Sequence, residues 1–343
     1  DDLASGALSG TGTIQNGKLD IQHSLKVDAD LGESFEVSVF SDALMTQQIG
    51  AMSSVAIAEN RVIRGNSIYR IVDGPNWTQA ETNAVAIGGH LVTIESAAEN
   101  SFVTNSFAGI STGSVDGLAL YIGYTDRVSE RIWQWVSGST STYQNWAVGE
   151  PNSGGNPTSG TGEDYAVIYP TANKYGVPGV WNDLDEIPSL VSQGIAEIPL
   201  TLSITRQGEV KEGSGVFTTS INLSAGTQAS GNLAEGAQVW WKITGITADD
   251  LASGALSGTG TIQNGKLDIQ HSLAVDADTG EQFQVSVFSD ALMTTEYQIG
   301  TIGSVSVQEE PDWEVVYSTS VPGTVSNGVG SITLKADGTI AFS

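Results

Sequence analysis

A group of carboxylate and amide side chains lies between residues 150 and 183. Its members are Glu150-Pro151-Asn152, then Glu163, then Asn182-Asp183. Carboxylate and amide oxygens in this number suit Ca²⁺, which takes roughly six to eight oxygen ligands. They do not suit zinc or copper, which prefer imidazole or thiolate ligands. A cis bond before Pro151 would turn the two flanking side chains toward one ion, and cis bonds are largely confined to proline. The sequence therefore predicts a Ca²⁺ site built from a long loop and a late strand.

Patterns between residues 64 and 198 predict the elements that position these donors. Apolar residues from Trp77 to Ile87 predict an amphipathic helix that ends at Gly88-Gly89. A second helix is expected after Ser96, an N-cap residue with Glu99 placed for a capping box. The segments HLVTI, LYIGY, WQWV and EDYAVIY predict strands. Four tryptophans are predicted to lie in the core rather than to stack on a sugar: Trp133, Trp135, Trp146 and Trp181.

At these residues the chain resembles a C-type lectin domain. The shared motifs are W-x-x-A, G-G-H-L-V-T-I, Y-I-G-Y-T-D, W-Q-W, Y-Q-N-W, E-P-N, E-D, W-N-D and I-A-E-I, in the family's order over nearly all of residues 64–198. The resemblance implies a Ca²⁺ ion with open positions for two vicinal sugar hydroxyls. Glu150 with Asn152 would pair with one hydroxyl, and Glu163 with Asn182 would pair with the other. The order Glu-Pro-Asn resembles members that prefer mannose, fucose or N-acetylglucosamine type sugars.

The same resemblance implies a second Ca²⁺ site at Asp126, Glu130 and Asp164. The residue after Glu-Pro-Asn, often Asp in that site, is Ser153 here. Because one carboxylate is missing, we expect this second site to attract the ion less strongly.

The chain departs from the family at its cysteines. The chain contains none, and the family's usual cysteine positions hold Ala84, Tyr165, Glu186 and Ala196. The two alanines are small enough to pack in the core, and Tyr165 opposite Glu186 is placed to hydrogen-bond. Since a disulfide contributes about 2–4 kcal/mol, the domain must gain stability elsewhere, and Ca²⁺ binding is one source.

An internal repeat flanks this region. The segment Asp1–Leu25 recurs word for word at Asp249–Leu273, and the match continues to Thr46 and Thr294. The differences in that span are Lys26/Ala274, Leu31/Thr279, Ser34/Gln282 and Glu36/Gln284. A two-residue insertion then follows in the second copy, and the match continues loosely to Ile57 and Val307. Such near-identity is typical of repeat arrays.

The second copy has a partner half upstream that the first copy lacks. LTLSIT, GVFTTSINL and AQVWWKITG predict strands before it, and Asn264-Gly265 predicts a type I′ hairpin turn within it. About 110 residues with some seven short strands predict a β-sandwich. Residues 1–57 are therefore interpreted as the C-terminal half of such a sandwich. Half a sandwich exposes its core face and is not expected to be stable alone. We accordingly interpret the chain as a fragment or repeating unit of a larger protein.

These repeats resemble the Calx-β family, in particular the repeats of large bacterial surface proteins. The matching features are V-K-E-G-S-G, A-D-D-L and D-A-D-T-G-E. The resemblance implies Ca²⁺ ligands at one end of the sandwich: Glu212, Asp249, Asp250, Asp276 and Asp278. The alternative is that these residues serve their turns, since Asp is common in turns.

Composition excludes several classes of function. Lys and Arg number 13 against 39 Asp and Glu, a formal net charge of -26. This argues against binding to nucleic acid or to anionic membranes. No apolar run reaches the length of a membrane span. A G-x-S-x-G match at residues 109–113 lacks the strand–turn–helix context of a nucleophile elbow. The three histidines form no recognisable triad, so no enzymatic activity is expected.

The sequence thus predicts a multidomain, mainly β protein, with an α+β C-type lectin domain between Calx-β-like (immunoglobulin-like) β-sandwich repeats. The predicted domains are a half repeat at 1–57, the lectin domain at 58–198, a complete repeat at 199–309 and the start of a further β domain at 310–343. The predicted function is Ca²⁺-dependent carbohydrate binding in an extracellular bacterial adhesin or cell-surface protein. Its predicted partners are glycans and neighbouring copies of the same protein. The alternative is a structural, self-assembling subunit in which Ca²⁺ rigidifies the array and the lectin-like domain binds protein.

Overall fold

A computed structural model of the chain describes residues 3–5, 7–21, 24–25, 34–56, 61–108, 119–154, 162–172, 176–186, 191–276, 280–300, 304–308, 332–334 and 340–342. Residues 1–309 form one compact unit and residues 310–343 a second. The G-x-S-x-G match at 109–113 and Asp278 lie outside the described residues.

The N-terminal segment contains two antiparallel strand pairs. Strand β1 (Leu3–Ser5) pairs with β2 (Ser24–Leu25), and β3 (Ser34–Val37) pairs with β4 (Ser53–Ala56). Between β1 and β2, Asn16 and Gly17 have φ of 52° and 78°. Both values are those of a type I′ turn, which asparagine followed by glycine accepts readily.

The next elements form a central module (residues 61–199). They are β5 (Arg61–Arg64), β6 (Ser67–Asp73), α1 (Trp77–Ala86), β7 (His90–Leu91), α2 (Ala97–Ser106), β8 (Leu120–Thr125), β9 (Gln134–Trp135), β10 (Tyr165–Ile168), β11 (Trp181–Leu184) and β12 (Gln193–Pro199). Their strands form an eight-stranded sheet in the order β11-β10-β8-β12-β6-β5, with β7 on β12 and β9 on β8. This sheet carries the oxygen donors on its β10–β11 side.

Both predicted helices are present with their predicted ends. Helix α1 is capped by the Asn76 side chain and is followed by Gly88 with φ of 95°. Helix α2 is capped by the Ser96 side chain, which accepts from the Glu99 backbone N–H. The Glu99 carboxylate accepts from the backbone N–H of Glu95 at 2.8 Å. The bond from Glu99 N–H to Ser96 satisfies an N–H group that the first helical turn leaves without a partner.

Aromatic side chains fill the core beside β11. Trp135 and Trp181 are buried, as predicted, whereas Trp133 and Trp146 are only half-buried. The rings of Trp146 and Trp181 lie 5.8 Å apart and nearly perpendicular. Edge-to-face packing of this kind contributes beyond the buried area alone. The cluster therefore supports the strand that carries Asn182 and Asp183.

Two further sheets make up a two-sheet module (residues 201–308). Its strands are β13 (Thr201–Gln207), β14 (Phe217–Ser224), β15 (Gln238–Thr244), β16 (Leu251–Ser253), β17 (Ser257–Thr261), β18 (Lys266–Leu273), β19 (Gln282–Phe288), β20 (Gln298–Gly300) and β21 (Val305–Ser306). One sheet has the order β13-β14-β18-β16, and the other has the order β17-β15-β19-β20 with β21 on β19. Phe217 of the first sheet faces Phe283 of the second at 6.1 Å. The turn at Asn264 and Gly265 has φ of 52° and 77°, as predicted for type I′.

The central and two-sheet modules pack against each other. A single cluster of buried apolar residues extends from Trp77 and Ile198 through Leu200 to Leu223 and Val239. Polar contacts surround it: Arg64 pairs with Glu296, Arg61 donates to the Glu235 carbonyl, and Thr227 donates to the Ala86 carbonyl at 3.1 Å. The two modules therefore share one hydrophobic core.

The second unit contributes β22 (Ile332–Leu334), which pairs antiparallel with β23 (Ile340–Phe342). Neither α-helix among the described residues has the length and apolar character needed to cross a bilayer.

Candidate functional site

Strands β10 and β11 position the candidate oxygen ligands that come last in the sequence, Glu163, Asn182 and Asp183. Asn182 lies opposite Val167 and Asp183 lies opposite Ala166 in the antiparallel ladder. Both donor side chains are buried, with 4% exposure for Asn182 and none for Asp183. Glu163 lies two residues before β10 begins. The pairing of β10 with β11 therefore brings the oxygens of Asn182 and Asp183 to the end of the sheet where Glu163 precedes β10.

The preceding loop follows β11 closely. The backbone of Trp181 accepts from Ala147 N–H and donates to the Asn145 carbonyl, each at 2.8 Å. The loop then turns, because Glu150 N–H donates to the Ala147 carbonyl at 3.0 Å. The Glu150–Pro151 bond is cis, as predicted. These contacts bring Glu150 beside the buried residues of β11.

Backbone N–H groups after Pro151 donate hydrogen bonds to two of these carboxylates. The backbone N–H of Ser153 donates to Asp183 Oδ2 at 2.8 Å, and that of Gly154 donates to Glu163 Oε2 at 2.9 Å. A Cβ atom on Gly154 would lie 2.4 Å from Asn152 Oδ1, so the backbone approaches this amide as only glycine permits. We call Glu150, Asn152, Glu163, Asn182 and Asp183 the loop cluster.

Burial and the crowding of carboxylates raise pKa values in the loop cluster. Burial, followed by contact with Asp183 and the charge of Glu163, raises the pKa of Glu150 to about 7. Burial and the charge of Asp183 also raise the pKa of Glu163. Desolvation and like charge both disfavour the ionised form of a carboxyl. A cation among these groups would relieve that repulsion.

The oxygens of the loop cluster fit a hard cation. Glu150 Oε2, Asn182 Oδ1 and Asp183 Oδ1 are buried and accept no hydrogen bond within the described part of the chain. Buried oxygens without donors are costly, and Ca²⁺ is bound by oxygens of this kind. Within the described ranges, no three His, Asp or Glu side chains form a metal-holding group by themselves. A cation at the loop cluster would therefore need the amide oxygens of Asn152 and Asn182 as further ligands.

A shallow cavity of about 240 Å³ borders the loop cluster. Its lining residues are Arg131, Trp133, Pro151, Asn152 and Ser153. Trp133 packs against Tyr124 and Trp146, with ring centroids at 5.4 and 4.7 Å, while it also lines the cavity. Sequence reasoning placed Trp133 in the core only and did not single out Arg131. No local pattern marks either residue as part of a cavity, because the cavity forms between segments distant in sequence.

The residues of the implied second site lie in adjoining segments, although within the described residues their three carboxylates do not form a metal-holding group by themselves. Asp126 N–H donates to the Asp164 carbonyl at 3.2 Å, and Ser153 Oγ donates to Glu130 Oε1 at 2.6 Å. Asp126 is buried, and its Oδ2 accepts from Arg131 N–H at 2.7 Å. Burial is the main cause that raises the pKa values of both Asp126 and Asp164. Ser153, the residue after Glu-Pro-Asn, thus contacts this site through Glu130.

The acidic residues of the two-sheet module lie in a different setting. Asp250 is buried, and its Oδ2 accepts from Thr247 N–H at 2.6 Å, which stabilises the turn before β16. The Asp250 carbonyl accepts from Ala274 N–H, two residues before Asp276. Glu212 is 1% exposed, and its backbone forms an isolated β-bridge with that of Leu273. Asp249 is exposed. We call Glu212, Asp249, Asp250 and Asp276 the sheet-end cluster.

The positions that replace the family's cysteines pack as small or polar groups. Ala84 and Ala196 are fully buried. Glu186 accepts from the Thr78 backbone N–H at 3.0 Å, and the Tyr165 ring lies 5.0 Å from that of Trp77. Ala84 and Ala196 therefore lie in the core, as predicted.

Comparison with known proteins identifies the central module. The family model for the C-type lectin domain matches residues 74–175. Ladderlectin from Oncorhynchus mykiss is 31% identical over 174 residues, which cover 46% of this chain and 83% of that protein. The chain belongs to the C-type lectin family. A perlucin-like protein from Mytilus galloprovincialis is 34% identical over 96 residues, covering 28% of this chain and 60% of that protein. The solved carbohydrate-recognition domain of the mouse scavenger receptor C-type lectin covers 42% of this chain and 96% of that domain, with 24% identity and a TM-score of 0.33.

Family membership shows which broad class of protein this C-type lectin domain belongs to. C-type lectin homologues are carbohydrate-binding, non-enzymatic proteins, which confirms the prediction that the chain is not an enzyme. Its members are mostly secreted or extracellular. The predicted C-type lectin fold is confirmed for residues 74–175.

Proposed function

We propose that the lectin domain binds glycans in a Ca²⁺-dependent manner at the loop cluster. The observation that carries this proposal is the set of buried, donor-free oxygens on Glu150, Asn182 and Asp183. The ion, when bound, supplies positive charge and open coordination positions for two vicinal sugar hydroxyls. Each carboxylate accepts a hydrogen bond from a hydroxyl group, and each Asn amide NH₂ group donates a hydrogen bond to a hydroxyl oxygen.

The order of donors and acceptors supports a sugar class. Glu150 accepts and Asn152 donates on one side of the ion, while Glu163 and Asn182 have these roles on the other. The Glu-Pro-Asn order favours equatorial vicinal diols, as in mannose, fucose and N-acetylglucosamine type sugars. The adjacent cavity with Arg131 and Trp133 offers further polar and aromatic surface to a glycan.

A second Ca²⁺ ion is proposed at Asp126, Glu130 and Asp164, where it would need further oxygen ligands because these three described carboxylates do not form a metal-holding group by themselves. One Asp126 oxygen is buried without a hydrogen bond among the described residues, which supports a ligand role. The bond from Ser153 to Glu130 links this site to the Glu-Pro-Asn loop. An ion there would therefore help to hold the loop in its binding conformation.

We place this lectin in a repetitive extracellular adhesin of a bacterial surface, with glycans and neighbouring copies as partners. The repeat shared by residues 1–57 and 249–307 supports an array. The Calx-β resemblance, the domain limits and a Ca²⁺ role for the sheet-end cluster remain proposals. The hydrogen bond from Thr247 to Asp250 favours the turn role for that residue.

The alternative function is a structural, self-assembling subunit whose lectin domain binds protein. It is favoured by the apolar face that residues 1–57 expose. In that case protein groups, rather than sugar hydroxyls, would fill the open coordination positions of the ion at the loop cluster.

Glycan-array binding of the purified chain in millimolar Ca²⁺ and in EDTA tests the proposal. We expect binding to mannose- or fucose-type glycans that disappears in EDTA and weakens in Asn152→Asp. Asn16→Asp, the same substitution in an exposed turn, is the matched control and should bind normally. Absence of glycan binding, with a melting temperature that still rises in Ca²⁺, would support the structural alternative.

A further inference from the structure

Residues 1–57 and 249–307 have nearly the same sequence but different surroundings. Counterparts in the two copies differ by 248 in residue number up to Thr46 and Thr294, and by 250 after the insertion. Apolar residues at equivalent positions are exposed in the first copy and buried in the second. Exposed fractions are 61, 42 and 46% for Ile14, Phe35 and Val39, against 0, 1 and 0% for Ile262, Phe283 and Val287.

The first copy nevertheless keeps the strand pairing of the second. Leu3 pairs with Leu25 as Leu251 pairs with Leu273, with the same irregularity after the first pair. Phe35 pairs with Val55 as Phe283 pairs with Val305. Register is specified residue by residue, because a slip of one position would turn every side chain to the other face. The described strand pairs of residues 1–57 therefore have the registers of the matching half of the module.

The second copy shows what covers this face. Strand β14 pairs with β18 from Phe217–His271 to Asn222–Lys266, and β15 pairs with β19 from Trp240–Phe288 to Thr244–Gln284. Both β14 and β15 lie within residues 199–247. Their inward side chains, which include Phe217, Ile221, Val239 and Trp241, are buried in the common core. The cover therefore supplies both strand edges and an apolar face.

We propose that residues 1–57 form an acceptor surface for a further copy of the half repeat whose pattern is that of residues 199–247. Such a segment would add strands like β14 and β15 to the edges of the first copy. It would bury Ile14, Phe35 and Val39 as their counterparts are buried.

The segment of a second molecule of this chain is a poorer occupant. Residues 199–247 of each molecule already cover that molecule's own β18 and β19. If they moved to residues 1–57 of a neighbour, one core would be covered while an equal one was exposed. Exchange between two such molecules gains no buried apolar area, and burial of that area is the main driving force for pairing.

The test is a fusion that places residues 199–248 directly before Asp1 of the full chain, as Ala248 precedes Asp249. We expect amide hydrogen exchange at Phe35 and Val37 to slow by about 100-fold or more relative to the unfused chain, because core strands open far less often than exposed ones. Unchanged exchange in a soluble fusion would overturn the proposal.

Two matched variants of the fusion make the result specific. Phe35→Asp should abolish the protection, because its counterpart Phe283 is 1% exposed. Leu44→Asp should retain it, because Leu44 and its counterpart Leu292 are 84 and 77% exposed. Equal loss in both variants would contradict the proposed face. The unfused chain should be monomeric in light scattering, and a dimer dispersed by Phe35→Asp would identify a second molecule as the occupant instead.

Discussion

The loop cluster and Asp250 of the sheet-end cluster present similar carboxylates in different surroundings. In the loop cluster, one buried side-chain oxygen each of Glu150, Asn182 and Asp183 accepts no hydrogen bond within the described part of the chain. In the sheet-end cluster, the Asp250 carboxylate accepts from Thr247 N–H and thereby holds a turn. Acidic residues close in sequence therefore do not by themselves indicate a ligand site.

The largest expected effect comes from Asp183→Asn. Asp183 is fully buried among the donors, and its loss of charge weakens the attraction for Ca²⁺. We expect glycan binding at a fixed Ca²⁺ concentration to fall by about 100-fold or more. Asp249→Asn, the same change at an exposed position of the sheet-end cluster, should leave binding unchanged, as measured by glycan biolayer interferometry. Equal losses in the two variants would remove the distinction between the clusters.

A double exchange, Glu150→Gln with Asn152→Asp, should alter sugar preference more than total binding. It reverses the order of hydrogen-bond acceptor and donor across the loop while it keeps one carboxylate and one amide. We expect mannose-type binding to fall by roughly 10-fold or more and galactose-type binding to rise, because unmatched polar groups discriminate strongly. Competition with free monosaccharides measures this. Parallel loss for every sugar would show that the order of these residues does not set preference.

Gly154→Ala should have a moderate effect. A Cβ there would lie 2.4 Å from Asn152 Oδ1, so the amide must move from its position. We expect glycan binding to fall by several-fold to about 10-fold, with little change in melting temperature. In Gly162→Ala, the added Cβ would lie 2.9 Å from Glu130 Oε2 instead. That variant should weaken the second ion, measured by Ca²⁺ calorimetry, more than it weakens glycan binding.

The smallest effect concerns Glu197, an acidic residue outside both clusters. Burial is the main cause that raises the pKa of Glu197, although Thr93 N–H donates to its carboxylate at 3.2 Å. Because the folded state binds this proton more tightly, its stabilising contribution is present below about pH 4.5 and is lost as pH rises through the folded pKa. Glu197→Gln should therefore reduce the fall in urea midpoint between pH 4.5 and 7. An unchanged slope would show that Glu197 does not contribute to this pH dependence.

Local signals in the sequence predicted several elements of the lectin domain and one turn of the two-sheet module. Ser96 caps α2, Pro151 follows a cis bond and Asn264-Gly265 forms a type I′ turn, each governed by adjacent residues. The cavity beside Trp133 was not predictable, because it forms where Arg131, held by its bond to Asp126, meets the loop after Pro151.

The repeat shows the same limit more directly. Lys266–Leu273 is a strand of eight residues that pairs with β14. Among the described residues of the identical segment Lys18–Leu25, only Ser24 and Leu25 are in a strand. Strand length here depends on a partner strand, and the local sequence contains no information about whether that partner is supplied.

The most direct test of the account is a crystal structure of the chain grown with Ca²⁺ and a mannose-type disaccharide. We predict an ion bound by Glu150, Asn152, Glu163, Asn182 and Asp183 at distances of about 2.3–2.6 Å. Two vicinal hydroxyls of the sugar should complete its coordination and hydrogen-bond to the same side chains. An ion enclosed by protein groups alone, or a sugar bound away from this loop, would contradict the account.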